Sequence, residues 1–143
     1  MHLPDINVWL ALTFQSHVNH NAALQWLESA DDLQIAFCRQ TQQGFLRIAT
    51  NPKAMGEHAV TIKKAWQLYE TIEQDSRVCF EEEPSQIQSL WKRFTYRQSK
   101  SPKLWNDAWL AAFCLGSGAQ LVSFDKAFRQ FETLDYILLS PTK

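Results

Sequence analysis

Residues 104–125 read LWNDAWLAAFCLGSGAQLVSFD, and two hydrophobic periods follow each other along that stretch. From Lys103 to Leu115 the apolar residues keep helical spacing, with Pro102 preceding or opening the helix and Gly116 and Gly118 ending it. Leu121 to Phe124 then forms a short apolar run of strand character that leads straight into Asp125. A helix that delivers the chain to a buried strand is the repeating unit of an α/β sheet. Such sheets bind ligands outside the carboxyl ends of their strands. Asp125 falls at that end, and Asp107 lies in the first turns of the helix feeding the strand.

The rest of the chain repeats the pattern. Met1–Pro4 is a very short strand that closes on Asp5. Helices are expected from Ile6 to about Phe14, from about Asn19 to Ser29, and from Gln40 to Thr50, where Asn51–Pro52 stops the helix. Leu33–Phe37 and Arg77–Glu81 read as strands. Ile62, Ala65, Trp66, Tyr69 and Ile72 form one helical stripe, and Ile87, Leu90, Trp91 and Phe94 form another, with Pro84 suited to the first turn of the second helix. Lys126–Phe131 is a short helix and Tyr136–Leu139 a last strand. Strands alternating with helices imply a mostly parallel sheet covered on both faces, in one domain spanning residues 1–143.

Composition limits what this sheet can do. Hydrophobic residues make up 45% and charged residues 20%, the balance of a soluble globule. The formal charge is −1, so nucleic-acid binding has to come from local patches. No run is long enough to span a membrane, and the opening MHLPDINVW lacks the basic and apolar regions of a signal peptide. Cys38, Cys79 and Cys114 are far apart, odd in number and set among apolar neighbours, which points to free buried thiols in a reducing cytoplasm. The six tryptophans and nine phenylalanines are read mostly as core. The sequence has no P-loop, no GxGxxG and no nucleophilic Ser/His/Asp motif. His17 and His20 are spaced for a helical metal pair but lack completing ligands, so a packing or polar role is expected.

Asp5, Asp107 and Asp125 are far apart in sequence yet assigned to one crevice. Ionised carboxylates crowd together only when something cancels their repulsion, and a hard divalent cation does so. Bound to such an ion, water becomes a better nucleophile and a phosphate gains charge stabilisation, which is the chemistry of phosphodiester hydrolysis. Taken singly, each aspartate has a plainer reading: Asp5 and Asp125 as helix N-caps, Asp107 as an acid favoured by the helix dipole.

Three stretches carry a family resemblance: LPDINVWLAL (3–12), CRQTQQGFLRIATNP (38–52) and LWNDAWLAAFCLGSGAQLVSFDKAF (104–128). In order and spacing they resemble PIN-domain proteins and, more narrowly, the VapC toxin ribonucleases of bacterial toxin–antitoxin pairs. The resemblance implies a three-layer α/β/α PIN-like sandwich and RNA cleavage with Mg2+ or Mn2+. It also implies homodimerisation and inhibition by a cognate antitoxin protein. Carried over by position, it makes Asp5, Asp107 and Asp125 the metal-binding and catalytic acids, with Asn7 and the Ser123-Phe124-Asp125 triplet supporting them. The family usually has a glutamate on the helix after the second strand, where this chain has Gln43 and Gly44. Gln43 offers a carbonyl oxygen without charge, which points to weaker metal binding or a single ion.

RNA contacts are sought in residues 84–106, which hold no acid. Lys92, Arg93, Arg97, Lys100 and Lys103 are interleaved there with Trp91, Phe94, Tyr96 and Trp105, matching phosphates with cations and bases with rings. A solvated charged face is the plainer alternative. Arg47, one turn from Gln43, is placed to hold a phosphate or, for structural reasons, to pair with a site aspartate. Glu81, Glu82 and Glu83 are read as a solvated acidic turn outside the metal site.

The leading expectation is a cytoplasmic endoribonuclease toxin acting on tRNA or other structured RNA. The alternative is a PIN-like RNA- or protein-binding module with weak or no nuclease activity, favoured by the missing acid. A receiver- or phosphatase-like pocket fits less well, because Asn7 stands where a second acid would be needed.

Overall fold

In the computed structural model, residues 1–30 and 33–142 are described. In chain order the elements are β1 (His2–Pro4), α1 (Ile6–Thr13), α2 (His20–Ser29), β2 (Ile35–Phe37), α3 (Arg39–Ala49), α4 (Pro52–Met55), α5 (Ile62–Glu73), β3 (Val78–Phe80), α6 (Ile87–Thr95), α7 (Lys103–Ser117), β4 (Gln120–Ser123) and β5 (Tyr136–Leu138). Single 3₁₀ turns at Gly56–His58 and Lys126–Gln130 complete the set.

The sheet runs β3-β2-β1-β4-β5, and every pairing is parallel. Parallel strands need crossovers, and the helices that supply them cover both faces. Side-chain alternation along the strands divides the core in two. Leu3, Ala36 and Leu121 pack with α6 and α7, through Ile87, Leu110, Ala111 and Phe113. Ile35, Phe37 and Val122 face the other way, against Val8, Trp9, Phe45 and Tyr69 from α1, α3 and α5. Phe37 anchors this second layer, stacked on Trp9 at 3.8 Å between ring centroids and met edge-on by Tyr69. The result is the three-layer α/β/α sandwich, and its central strand β1 ends on Asp5.

Local chemistry sets the helix ends that matter here. Asp5 is the N-cap of α1, its Oδ1 accepting from the Val8 N–H at 3.2 Å. Thr41 Oγ1 accepts from the Cys38 N–H at 3.0 Å, closing a capping box at the start of α3. Gly118, at φ +70°, takes the left-handed conformation that ends α7.

Several element readings are corrected. Asn51–Pro52 ends α3 but also starts α4, since the Asn51 side chain accepts from the Lys53 N–H and proline suits a first helical position. Pro84 sits in a turn ahead of α6, its carbonyl accepting from the Ile87 N–H. Gly116 lies inside α7, where a Cβ would stand 2.9 Å from Pro84 Cγ; the glycine admits that loop against the helix. In α5 only Ala65 and Tyr69 of the expected stripe are buried, while Ile62 (73% exposed) and Trp66 (46%) face out beyond α3. The β2 strand begins at Ile35, two residues later than Leu33.

Candidate active site

A cleft of about 540 Å³ opens at the carboxyl edge of the sheet. Its lining includes Asp5 and Asn7 after β1, Gln40, Gln43 and Arg47 from α3, Lys103, Asn106 and Asp107 from α7, and Asp125 after β4. Three aspartates that are distant in sequence thus stand around one opening, each on a rigid element end.

Asp5 is the deepest of them. Its backbone N–H donates to the Val122 carbonyl at 2.9 Å, tying the end of β1 to β4. Its Oδ2 accepts the hydroxyl of Ser123, which is fully buried. The same Ser123 oxygen accepts from the Asp125 N–H at 2.9 Å, so one hydroxyl links two of the three acids. Burial pushes the Asp5 carboxyl up to about 6, opposed by the Ser123 hydroxyl and the Val8 and Asn7 N–H groups and reinforced by Asp125.

Asp107 and Asp125 share a cation. Lys103 Nζ lies 2.8 Å from Asp125 Oδ2 and 3.7 Å from Asp107 Oδ2. Burial raises the Asp107 carboxyl, with Lys103 opposing and Asp125 adding to the shift. At Asp125 burial also pushes upward, but the Lys103 hydrogen bond, the Ala127 N–H and the Lys103 charge outweigh it and hold the carboxyl below its usual range. Lys103 itself is raised, chiefly by Asp125. Asp125 Oδ1 caps the following turn through the Ala127 N–H, and its carbonyl accepts from the Tyr136 hydroxyl at 2.5 Å. Capping and cleft-facing roles therefore coexist in Asp5 and Asp125, one carboxylate oxygen serving each.

Among the described residues no three His, Cys, Asp or Glu side chains already stand close enough to enclose an ion. The donor set nevertheless fits a hard divalent cation. The acids offer carboxylate oxygens, and Asn7, Gln40, Gln43 and Asn106 offer amide oxygens. Asp5 is desolvated with no ion pair among the described residues, and an ammonium group already sits between the other two acids as a stand-in positive charge.

Other candidates fall elsewhere. Arg93 and Arg97 line a separate hollow with Tyr96, bonded to Thr133 and Gln130. Lys100 lines a further hollow with Trp105, and Lys92 lies over the Tyr96 ring. Of the basic residues in that segment, Lys103 alone reaches the cleft. Glu81, Glu82 and Glu83 do not line it. His17 accepts from the Asn19 N–H and His20 bonds the Ala11 carbonyl, both local backbone roles. The three cysteines are free. Gln40 and Asn106 went unremarked in the sequence; Gln40 Nε2 reaches the Asn106 carbonyl at 3.5 Å, a link between α3 and α7 that only the fold reveals.

A parallel sheet with converging aspartates at its carboxyl edge defines a carboxylate-centred α/β domain suited to metal-assisted hydrolysis. The PIN domain family model matches residues 3–134. The chain is 39% identical to Ribonuclease VapC41 of Mycobacterium tuberculosis, over 98% of this chain and 99% of that one. It is 28% identical to Ribonuclease VapC44 of the same organism, over 87% and 86%. The chain belongs to the PIN-domain family and, within it, to the VapC-type ribonucleases. Two solved structures share its fold: Mycobacterium tuberculosis VapC20, a Sarcin-Ricin loop cleaving toxin (TM-score 0.70, 13% identity, 98% of this chain and 100% of that one), and VapBC2 from Rickettsia felis bound to a promoter DNA fragment (0.69, 12%, 97% and 98%).

Proposed function

We propose that this chain is a divalent-metal-dependent endoribonuclease, the toxin of a toxin–antitoxin pair, hydrolysing phosphodiester bonds in tRNA or another structured RNA. The observation that carries the reading is the meeting of Asp5, Asp107 and Asp125 around one cleft, with Asp5 desolvated. These three hold Mg2+ or Mn2+, which when bound supplies an activated water and stabilises charge on the phosphate. Ser123 fixes the Asp5 carboxylate and the Asp125 backbone relative to each other. Arg47 and Gln43 stand on the α3 wall and Asn7 on the first turn of α1, where they meet the phosphate and ribose of an entering strand. The separate hollow with Arg93, Tyr96 and Arg97 offers further cations and an exposed ring for RNA. Likeness to the VapC ribonucleases, and to a fold relative solved as VapBC2 on promoter DNA, supports a cognate antitoxin protein as partner; a homodimeric toxin and a cytoplasmic setting follow from the family resemblance alone. No helix among the described residues is long and apolar enough to cross a membrane.

One observation favours a second reading, an RNA- or protein-binding module with little catalysis: Gln43 and Gly44 leave the α3 wall without an acid. The two readings separate in one assay. Purified protein is incubated with total RNA, with Mg2+, Mn2+ or chelator, beside Asp107→Asn. The nuclease reading expects metal-dependent fragments that the variant reduces by at least about a hundredfold. Equal cleavage by the variant, or intact RNA under either metal, sinks it.

A further inference from the structure

Lys103 is the first residue of α7, and its side chain is 62% exposed. Its ammonium nonetheless turns inward to the two acids it can reach, Asp125 Oδ2 at 2.8 Å and Asp107 Oδ2 at 3.7 Å. Nothing in the local helix forces that turn. The spacing to Asp107 is i, i+4, which alone would give an ordinary surface pair. The shorter contact, however, is to Asp125 on another element, and both residues line the cleft. Arg47, the other cation lining the cleft, stands on the opposite wall and makes no ion pair among the described residues. Asp5 has no cationic partner either. One positive charge thus serves two of three acids, through the oxygens that a divalent ion would also need.

We infer that Lys103 is a tethered competitor of the divalent ion: its ammonium bridges Asp107 and Asp125 in the metal-free protein and leaves Asp125 when the ion enters. The inference rests on the proposed metal-binding role of the three aspartates. A lysine suits this task because its charge is compact and single and its stem is flexible. Its charge offsets the repulsion between the two acids. A divalent cation in the same place carries twice the charge and accepts several oxygens at once, so it wins when its concentration is high enough. Lys103 therefore sets the metal concentration at which the site fills. Once displaced, it remains on the rim of the cleft, within a side chain's length of an incoming phosphate.

The test is a calorimetric Mn2+ titration of the full chain, comparing wild type, Lys103→Met, Lys103→Arg and Lys100→Met. Lys100 is three residues away and makes no ion pair among the described residues, so its removal changes the net charge equally without touching the acids. Lys103→Met should bind Mn2+ about two- to fivefold more tightly than wild type, the worth of one partly exposed ion pair. Lys103→Arg and Lys100→Met should stay near wild type. Saturable binding seen only in Lys103→Met would support the inference still more strongly. Unchanged or weaker binding by Lys103→Met, or equal tightening by Lys100→Met, overturns it while leaving the metal site standing. Absence of Mn2+ binding in every protein overturns both the inference and the metal reading beneath it. Circular dichroism checks that each variant is folded, and the exposed side chain makes misfolding an unpromising escape.

Discussion

Asp5 holds together two roles that its sequence context presents as rivals. One oxygen caps α1 and the other takes the Ser123 hydroxyl at the floor of the cleft. Ser123 is fully buried, so its hydroxyl is the least replaceable partner in the site. Removing it in Ser123→Ala leaves Asp5 Oδ2 and the Asp125 N–H without their shared partner in a place water cannot easily reach. The expected cost is about 1–3 kcal/mol in urea unfolding at neutral pH. Ser123→Thr keeps the hydroxyl and should lose less than half as much. An alanine variant as stable as wild type would show that the hydroxyl holds nothing. Asp5 and Asp125 were legible in the sequence because each marks a boundary between strand and helix, and Asp107 because it lies in the first turns of the helix that feeds β4. The sharing of Lys103 was not legible: its neighbour Asp107 follows from helical spacing, but Asp125 comes near only through the crossover from α7 to β4. For the same reason Lys103 reads in the sequence as one of the RNA-facing cations, although it sits among the acids.

At the scale of elements, packing decides which of the two positions has room for the missing acid. α3 packs closely against α1, and a Cβ at Gly44 would meet Ile6 Cδ1 at 2.0 Å and Cγ1 at 2.7 Å. Ile6 fills the space that a side chain at position 44 would need. Gln43, one residue earlier, is exposed and faces the cleft. A fourth carboxylate therefore fits at 43 and not at 44. Gln43→Glu should tighten Mn2+ binding about three- to tenfold, since affinity for hard cations rises with ligand charge. Gly44→Ala should cost about 1–3 kcal/mol of stability by forcing Ile6 and the helix pair to shift. Weaker Mn2+ binding by Gln43→Glu in calorimetry would place that side chain outside the ion's reach. The sequence marked positions 43 and 44 as the gap but held no sign of which faced the cleft. Apart from the short α4, strand and helix order was readable, because buried parallel strands are short apolar runs between amphipathic helices. Where patterning misled, tertiary contact had overridden it. Gly116 resembles a helix stop yet serves close packing against Pro84, and Ile62 and Trp66 continue a stripe that α5 never buries.

At the scale of the molecule, a buried carboxyl at the end of the central strand couples the site to the stability of the fold. The Asp5 carboxyl rises by burial from its ordinary 3.8 to about 6. Between those values the folded chain holds a proton that the unfolded chain has released. Stability from this group is therefore greatest below about pH 4, falls as pH rises to about 6, and is level above. The two-unit shift corresponds to at most about 3 kcal/mol. His2 and His17 act in the opposite direction, because burial lowers both and so favours folding as pH rises towards 6.5. The difference between wild type and Asp5→Asn isolates the aspartate, since both proteins carry the same histidines. In chelator, Asp5→Asn should be the more stable protein at pH 7.5, and its advantage should shrink towards pH 4.5, followed by urea midpoints at each pH. Saturating Mn2+ should reverse the order at pH 7.5, because an ion that binds the folded state alone stabilises it by mass action and wild type has the acid to hold it. If the variant stays ahead of wild type in saturating Mn2+, Asp5 does not contribute a charge to the ion, and the cleft binds metal through Asp107 and Asp125 alone.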